Sequence, residues 1–524
     1  MTRTRRFLDA VCLNYGNQAV VMLIGLWLTP FLLHHLGQRD YGLWLVGFQS
    51  LTYLAVLDIG IIGILPREVA YASGVESRSG EEGRIRRLIE DNAVIVLWQL
   101  PILIAALAAV ALWISLFHPS LTYVFGIVLS AYALQFTLRI FQAALEGLQD
   151  FAFLGYLQMV AWLIGVGVNV LAVSAGYGLL GLAVGWSVTQ LLLASACVAR
   201  MYSSFRPMSP RRLRWLPFRT MAGYLRSSFW VSVAQVTQML VKGTDVVILA
   251  HARGASSVVP YSCSSKLQMT LANQPQVILH AAQSGLTQLR ASADHTRLAR
   301  VIGALSQAML MMSGAAACLI LAVNGAFVSR WVGPSQYLGV WFTVVISISM
   351  LVRHLNATTV YTLFCFRKER FIAITGLCEG VGFVTLTALL VGACGPLAPA
   401  IAALLCPCIT SLPWNLSMLK NCTGLSIREQ LAPVLQWFLP FVVVAPVITL
   451  LSYKLAQPLY IWCAAAATLA VLLYLLSELH VIRTSPWSAP IRDQVSKLWW
   501  RIEGLSKVSI SAQGAKPVDP ASLP

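Results

Sequence analysis

Charge is what this sequence has least of. Asp, Glu, Lys and Arg make up 11% of its 524 residues, against about 25% in a soluble domain. So few charges cannot cover a water-facing surface of this size, which excludes an ordinary soluble fold. Hydrophobic residues reach 58% and the mean hydropathy is +0.73, so most of the surface must face lipid. Backbone polar groups find no water in hydrocarbon, and only helices or closed barrels satisfy them there. Barrel strands would read as alternating segments of about 10 residues. The sequence instead runs apolar over lengths near the roughly 20 residues of a helical span.

Other absences narrow the function. The 11 cysteines sit almost all in apolar runs, without zinc-ligand spacing, and read as small hydrophobes; Cys406 and Cys408 flank Pro407 within a span. No metal site or cofactor is expected. There is no phosphate-binding loop and no catalytic constellation, so the reading is a non-enzyme that does not hydrolyse ATP. The basic Met1–Arg6 stretch leads into an apolar run too long for a signal peptide, holding Asn14, Asn17 and Gln18, with no small-x-small site. The first helix is therefore expected to remain.

What is present is a succession of fourteen expected spans: 8–35, 43–66, 91–117, 121–145, 152–175, 178–199, 221–250, 259–287, 301–327, 338–365, 371–393, 397–419, 432–453 and 457–479. The cations test this map. On the side holding both termini fall 29 of the 37 Lys and Arg; the opposite loops hold Arg39, Arg253, Arg330 and Lys454. Positive-inside bias then predicts cytoplasmic termini. The net charge of +17 is mostly this orientation signal, facing an anionic leaflet, and not a nucleic-acid footprint. Trp499 and Trp500 beside Lys497 and Arg501 suggest an interfacial helix, with a disordered end from Ser509.

A shift of 217 residues superposes the first span on the seventh. Leu8, Gln18, Met22, Leu23, His34 and Gly37 meet Leu225, Gln235, Met239, Leu240, His251 and Gly254. Further on, Arg84–Ile89 resembles Arg297–Ile302, and Phe151 and Leu157 meet Phe371 and Leu377 at a shift of 220. The period is six spans, an even number, so the halves have parallel topology, as in transporters that rock two bundles about a central site. The expected organisation is an N-lobe at 1–200, a basic linker at 201–220, a C-lobe at 221–420, two further spans within 421–482 and a cytoplasmic tail at 483–524.

Particular stretches of this layout resemble the polysaccharide-biosynthesis branch of the multidrug/oligosaccharidyl-lipid/polysaccharide (MOP) exporter superfamily. They are Leu28–Gly37 followed by Asp40–Trp44, Leu57–Gly60 with Arg67–Ala70, Thr244–Leu249 with Gly254, and the turn Glu146–Phe151. The resemblance covers roughly residues 5–480. It implies an all-α polytopic protein of about 14 transmembrane helices, with two six-helix lobes of MATE type plus two C-terminal helices. It further implies an O-antigen or exopolysaccharide flippase. Such a protein moves an undecaprenyl-diphosphate-linked oligosaccharide from the cytoplasmic to the periplasmic leaflet of a bacterial inner membrane, by alternating access around a cationic cavity. Membrane lipids, the lipid-linked glycan, a polysaccharide polymerase and a chain-length regulator are its implied partners. The first span lacks the arginine–aspartate pair expected of a peptidoglycan-precursor flippase, with Tyr15 and Gly16 near that place.

Ionisable residues at membrane depth are costly and mark candidate sites. Gln135, Arg139, Gln142 and Glu146 fall within about 60° of helical arc. Arg139 suits a diphosphate, because its fork binds phosphate oxygens bidentately; an internal Arg139–Glu146 or an interlobe ion pair is the plainer alternative. Gln235, Gln238, Lys242 and Asp245 share a second face, where Lys242 and Asp245 could simply pair. Lys266, with Ser262, Thr270 and Asn273, either lines a cavity or snorkels to the outer surface. Arg353 shares a face with Ser349 and Asn356, beside His354. Asp58 caps a helix break or faces the cavity. Substrate-binding candidates are thus Arg139, Lys242, Arg353, Lys266, Gln135, Gln142, Gln235 and Asn356; coupling candidates are Asp245, Glu146, Glu379 and Asp58. His34, His35 and His251 read as interfacial. Coupling to a proton or sodium gradient, or to the membrane potential, stays open. A MATE-type cation-coupled drug antiporter is the alternative function. A membrane polysaccharide polymerase or ligase fits less well, since its catalytic groups would need a sizeable outer loop and every outer loop here is short.

Overall fold

The computed structural model describes residues 3–54, 65–66, 68–69, 72–73, 83–117, 119–148, 150–211, 218–276, 279, 295–454, 465 and 468–478. Among these residues helix is the regular structure and no strand occurs. In chain order the helices are α1 (Arg3–Leu54), α2 (Arg84–Phe117), α3 (Thr122–Gly147), α4 (Phe151–Ser174), α5 (Leu179–Ser204), α6 (Phe218–Arg253), α7 (Val258–Leu271), α8 (His295–Trp331), α9 (Val340–Cys365), α10 (Glu369–Cys394), α11 (Ala398–Ile409), α12 (Ser411–Thr423) and α13 (Ile427–Lys454). A shorter apolar helix, α14 (Thr468–Glu478), follows. Eight helical stretches are long and apolar enough to cross a membrane. The chain is a multi-pass membrane protein of the all-α class expected.

The helices follow the apolar runs, with differences at proline and glycine. The first expected span and the described start of the second, up to Leu54, form one helical run, α1, bent at Gly37 (φ 76°, ψ 167°). Its repeat counterpart Gly254 (φ 84°, ψ 157°) takes the same conformation and separates α6 from the turn before α7. That region of φ/ψ space is open essentially to glycine alone, so the match at a shift of 217 reflects one backbone plan used twice.

Two expected spans are broken. The run 259–287 stops as α7 at Leu271 and enters a turn, four residues before Pro275. The run 397–419 divides between Ile409 and Ser411, where Thr410 leaves helical geometry (φ −107°, ψ −80°); Ile409 lies four residues before Pro413 and its missing N–H. Proline clashes with the carbonyl four residues back, and each helix ends on that residue. Pro30, Pro101 and Pro407 lie inside helices, so proline alone does not set a break.

The helices gather into two compact units, neither of them a continuous stretch. Unit 1 comprises Met1–Lys266, Val328–Phe342 and Glu369–Cys406; unit 2 comprises Leu267–Phe327, Thr343–Lys368 and Pro407–Pro524. In unit 1, Ile89 and Leu103 of α2 pack with Val128, Phe136 and Leu145 of α3 and Met201 of α5, all essentially fully buried. Between α4 and α5 the approach is close: a Cβ on Gly165 would lie 2.9 Å from the Gly185 carbonyl oxygen. Small residues let membrane helices meet where no hydrophobic force drives them together. In unit 2, Leu310, Ala317 and Ile320 of α8 pack with Trp437 and Phe441 of α13 and Tyr474 of α14.

Polar ends close with ordinary helix chemistry. Arg200 at the end of α5 pairs with Asp150 at 2.9 Å and lies over the Phe153 ring at 5.0 Å. Gly424 ends α12 in the left-handed region, its N–H reaching the Lys420 carbonyl at 2.8 Å. Ser426 and Glu429 then open α13 as a reciprocal cap: the Ser426 N–H reaches a Glu429 oxygen at 2.8 Å and the Glu429 N–H reaches Ser426 Oγ at 3.3 Å. This is the Ser-x-x-Glu pattern that satisfies orphan donors at a helix start.

Candidate functional site

The polar stripe expected from helical spacing lies on α3. Gln135, Arg139, Gln142 and Glu146 are all half-buried. The Arg139 guanidinium sits over the Phe136 ring, 4.6 Å from its centroid, an orientation that fixes a planar cation. Gln142 donates to Glu146 Oε1 at 3.1 Å, one turn on. The stripe thus carries a cation held by an aromatic face at one level and an amide–carboxylate pair at another.

On α6 the carboxylate of Asp245 is buried and held from two elements. Tyr261 of α7 donates its hydroxyl to Oδ2 at 2.6 Å, and the Val246 N–H reaches Oδ1 at 2.8 Å. The neighbouring Thr244 accepts a hydrogen bond from Tyr53 of α1 at 3.0 Å. Three helices of unit 1 therefore meet around Thr244 and Asp245. Gln235, lower on α6, is half-buried; its amide oxygen is buried and meets no partner among the described residues. Lys242 lies on α6 with its side chain outside the described residues, and Asp58 lies outside them entirely. Lys266 is half-buried on α7, one turn from Cys263, and Glu379 is half-buried on α10. His34, His35 and His251 are exposed.

In unit 2 the polar residues of α9 address the two broken helices. His354 is buried; Nε2 reaches the carbonyl of Ala272, just past the end of α7, at 2.9 Å, and Nδ1 meets Ser313 Oγ of α8 at 2.6 Å. Asn356 is buried as well. It donates to Ser411 Oγ at 2.8 Å, beside the break at Thr410, and accepts from Asn415 at 2.9 Å. Broken helices leave backbone groups without partners, and membrane proteins re-satisfy them with neighbouring side chains. Arg353, between these two residues in sequence, is half-buried.

Sequence reasoning missed Tyr53, Tyr261, Ser313, Ser411 and Asn415, because one hydroxyl or amide in an apolar run has no periodic signature. It also missed Glu478, which did have one: an acid ending the run Val471–Leu476. Among the described residues no group of three or more His, Cys, Asp or Glu could hold a metal ion.

No protein-family model matches this chain, and no curated protein matches it. Solved structures do share its fold. The lipid II flippase MurJ in an inward closed conformation superposes with a TM-score of 0.57 at 11% identity, over 88% of this chain and 99% of the flippase. An inward-facing multidrug resistance MATE family transporter of the MOP superfamily gives 0.60 at 14% identity, over 76% of this chain and 94% of the other. A MOP superfamily transporter from Pyrococcus furiosus, described as having a binding pocket of reversed polarity, gives 0.53 at 12% identity, over 80% and 96%. At these identities the likeness is one of fold: this chain has the fold of MOP-superfamily transporters.

Proposed function

We propose that this protein is a flippase that moves a lipid-linked oligosaccharide, carried on undecaprenyl diphosphate, from the cytoplasmic to the periplasmic leaflet. The observation that carries the reading is the extent of the fold likeness. The flippase MurJ matches over 88% of this chain, against 76% and 80% for the MATE-family transporter and the Pyrococcus transporter. The cations at span depth support it from the side of chemistry. A diphosphate crossing hydrocarbon loses hydration, and arginine offsets that loss with bidentate, charge-assisted hydrogen bonds. Arg139, stacked on Phe136, is the residue we assign to this task in unit 1; Arg353 is a separate candidate in unit 2. Asp245, Glu146, Glu379 and Asp58 remain candidate coupling acids. The arrangement of lysines and arginines supports cytoplasmic termini, and the resemblance to polysaccharide exporters supports a bacterial inner membrane.

A drug antiporter of MATE type is the second reading, favoured by the 0.60 TM-score of the inward-facing transporter. The two separate on one experiment. Deleting the gene in its own bacterium should abolish surface glycan and leave the lipid-linked repeat unit in the cytoplasmic leaflet. Wild-type protein should restore export, and Arg139→Ala protein that still inserts should not. Unchanged glycan with altered sensitivity to cationic drugs would replace the proposal with the antiporter.

A further inference from the structure

Glu478 of α14 has 1% of its surface exposed. It lies beneath the polar contact that fastens the last two helices to α8. Trp437 of α13 donates its indole N–H to the Tyr474 hydroxyl at 2.7 Å, and Tyr474 donates to the Met311 carbonyl of α8 at 2.9 Å. The close fit is set by Gly314, where a Cβ would lie 2.8 Å from Tyr474 Cζ and 2.9 Å from Trp437 Cζ2. Indole nitrogen only donates and a backbone carbonyl only accepts, and the 2.9 Å contact directs the single phenol proton to Met311. Tyr474 then has an oxygen lone pair left and no proton to give.

Glu478 stands one helical turn from Tyr474, near enough for the phenol to act on it, yet neither of its oxygens has a hydrogen-bond partner among the described residues. An ionised carboxylate is acceptor-only, whereas the neutral acid carries a donor. With the phenol proton on the Met311 carbonyl, only the neutral acid can add a hydrogen bond to this network. The surroundings agree. Among the described residues on the elements packed about it, the titratable neighbours are Tyr474 of α14 and Cys318 of α8. No charged residue lies between Arg300 and Arg330 in α8 or between Glu429 and Lys454 in α13. Trp437, Phe441, Ala317 and Ile320 supply the wall. On α9, which joins the same core through Met350 and Leu351, His354 is engaged by Ser313 and Ala272 and Arg353 is half-buried. An isolated carboxylate in such a site costs far more than a protonated one.

We propose that Glu478 is a proton-binding site of unit 2, resting as the neutral carboxylic acid and donating to the Tyr474 oxygen. On the transporter reading, on which this second step rests, it is the acid through which a proton gradient drives transport.

The first step is tested on the full chain by infrared difference spectroscopy of wild type against E478Q at pH 7. The expected result is a protonated-carboxyl band that E478Q lacks, that shifts in deuterated water and that is lost at alkaline pH. Identical spectra would overturn the site. Glutamine imitates the neutral acid in shape and donor capacity, so E478Q should insert and keep wild-type thermal stability at pH 7. A large loss of stability would mean that the charged form is the native one. The second step is tested by export. E478Q that inserts normally should lose surface glycan as completely as the gene deletion does; wild-type export by E478Q would overturn the coupling role. If the deletion itself leaves glycan intact, the flippase reading fails, while the infrared band still decides the proton site.

Discussion

Replacing Tyr261 by phenylalanine isolates one hydrogen bond to a buried carboxylate. The ring keeps its edge contact with Phe342, at 5.7 Å between centroids, and only the hydroxyl is lost, so no sizeable cavity forms. What disappears is the 2.6 Å bond to Asp245 Oδ2. Hydrogen bonds to charged groups contribute about 1.5–3 kcal/mol net, so the unfolding equilibrium should shift by roughly ten- to a hundred-and-fifty-fold. Equilibrium unfolding in mixed detergent micelles measures it. Asp245→Asn tests whether the loss runs through the carboxylate. An amide accepts more weakly than a carboxylate, so Tyr261→Phe should cost less in the Asp245→Asn background, and the cycle should give a coupling of about 1 kcal/mol or more. Additivity within about 0.5 kcal/mol, or a neutral Tyr261→Phe, would refute the account of Asp245 as an acid held in place by Tyr261.

Three further outcomes follow from geometry. Gly254→Ala and Gly37→Ala meet no atoms within 4 Å, so their cost is backbone strain alone, about 1–3 kcal/mol each; a neutral Gly254→Ala in the same unfolding assay would sink the shared-conformation argument. Ser426→Ala removes the hydroxyl that receives the Glu429 N–H and should cost about 1 kcal/mol, with faster amide exchange confined to the first turn of α13. Trp437→Phe takes the indole donor from Tyr474 and should cost about 0.5–1.5 kcal/mol, read from the same unfolding transition.

Apolar runs and cation placement carried the helical architecture in plain view, because hydrocarbon leaves the backbone one economical solution. The Gly37–Gly254 repeat was legible for a similar reason: an unusual φ leaves a residue-specific mark. The breaks at Leu271 and Ile409 were marked by Pro275 and Pro413. Yet Pro30 and Pro101 carry the same mark inside unbroken helices, so proline alone did not tell a break from a bend. The partners of Asp245 were beyond reach. Tyr261 is sixteen residues away and Tyr53 is far more distant from its partner Thr244, and a tyrosine in an apolar run reads as packing until its hydroxyl is placed. Glu478 was visible as an acid in a greasy segment and was passed over, because no polar stripe at helical spacing surrounds it.

The breaks also show where the two halves part company. At the shift of 217, Pro413 falls opposite Ala196, and α5 runs unbroken through that region. The break before Pro413 thus has no counterpart at the matching place of the first half, and α9 lies against both breaks: His354 reaches the Ala272 carbonyl at one and Asn356 reaches the Ser411 hydroxyl at the other. If that is the role of His354, an apolar residue of similar bulk cannot replace it. His354→Leu leaves the Ala272 carbonyl one donor short in a buried setting, at a cost of about 1–3 kcal/mol. His354→Gln, which keeps a donor, should recover part of it. Hydrogen exchange should report the loss at residues 268–276 and leave residues 411–423 unchanged, since Asn356 serves that break independently. Equal deprotection of both segments would mean that the two breaks move as one element, and an unaltered 268–276 segment would mean that the imidazole does not hold the end of α7.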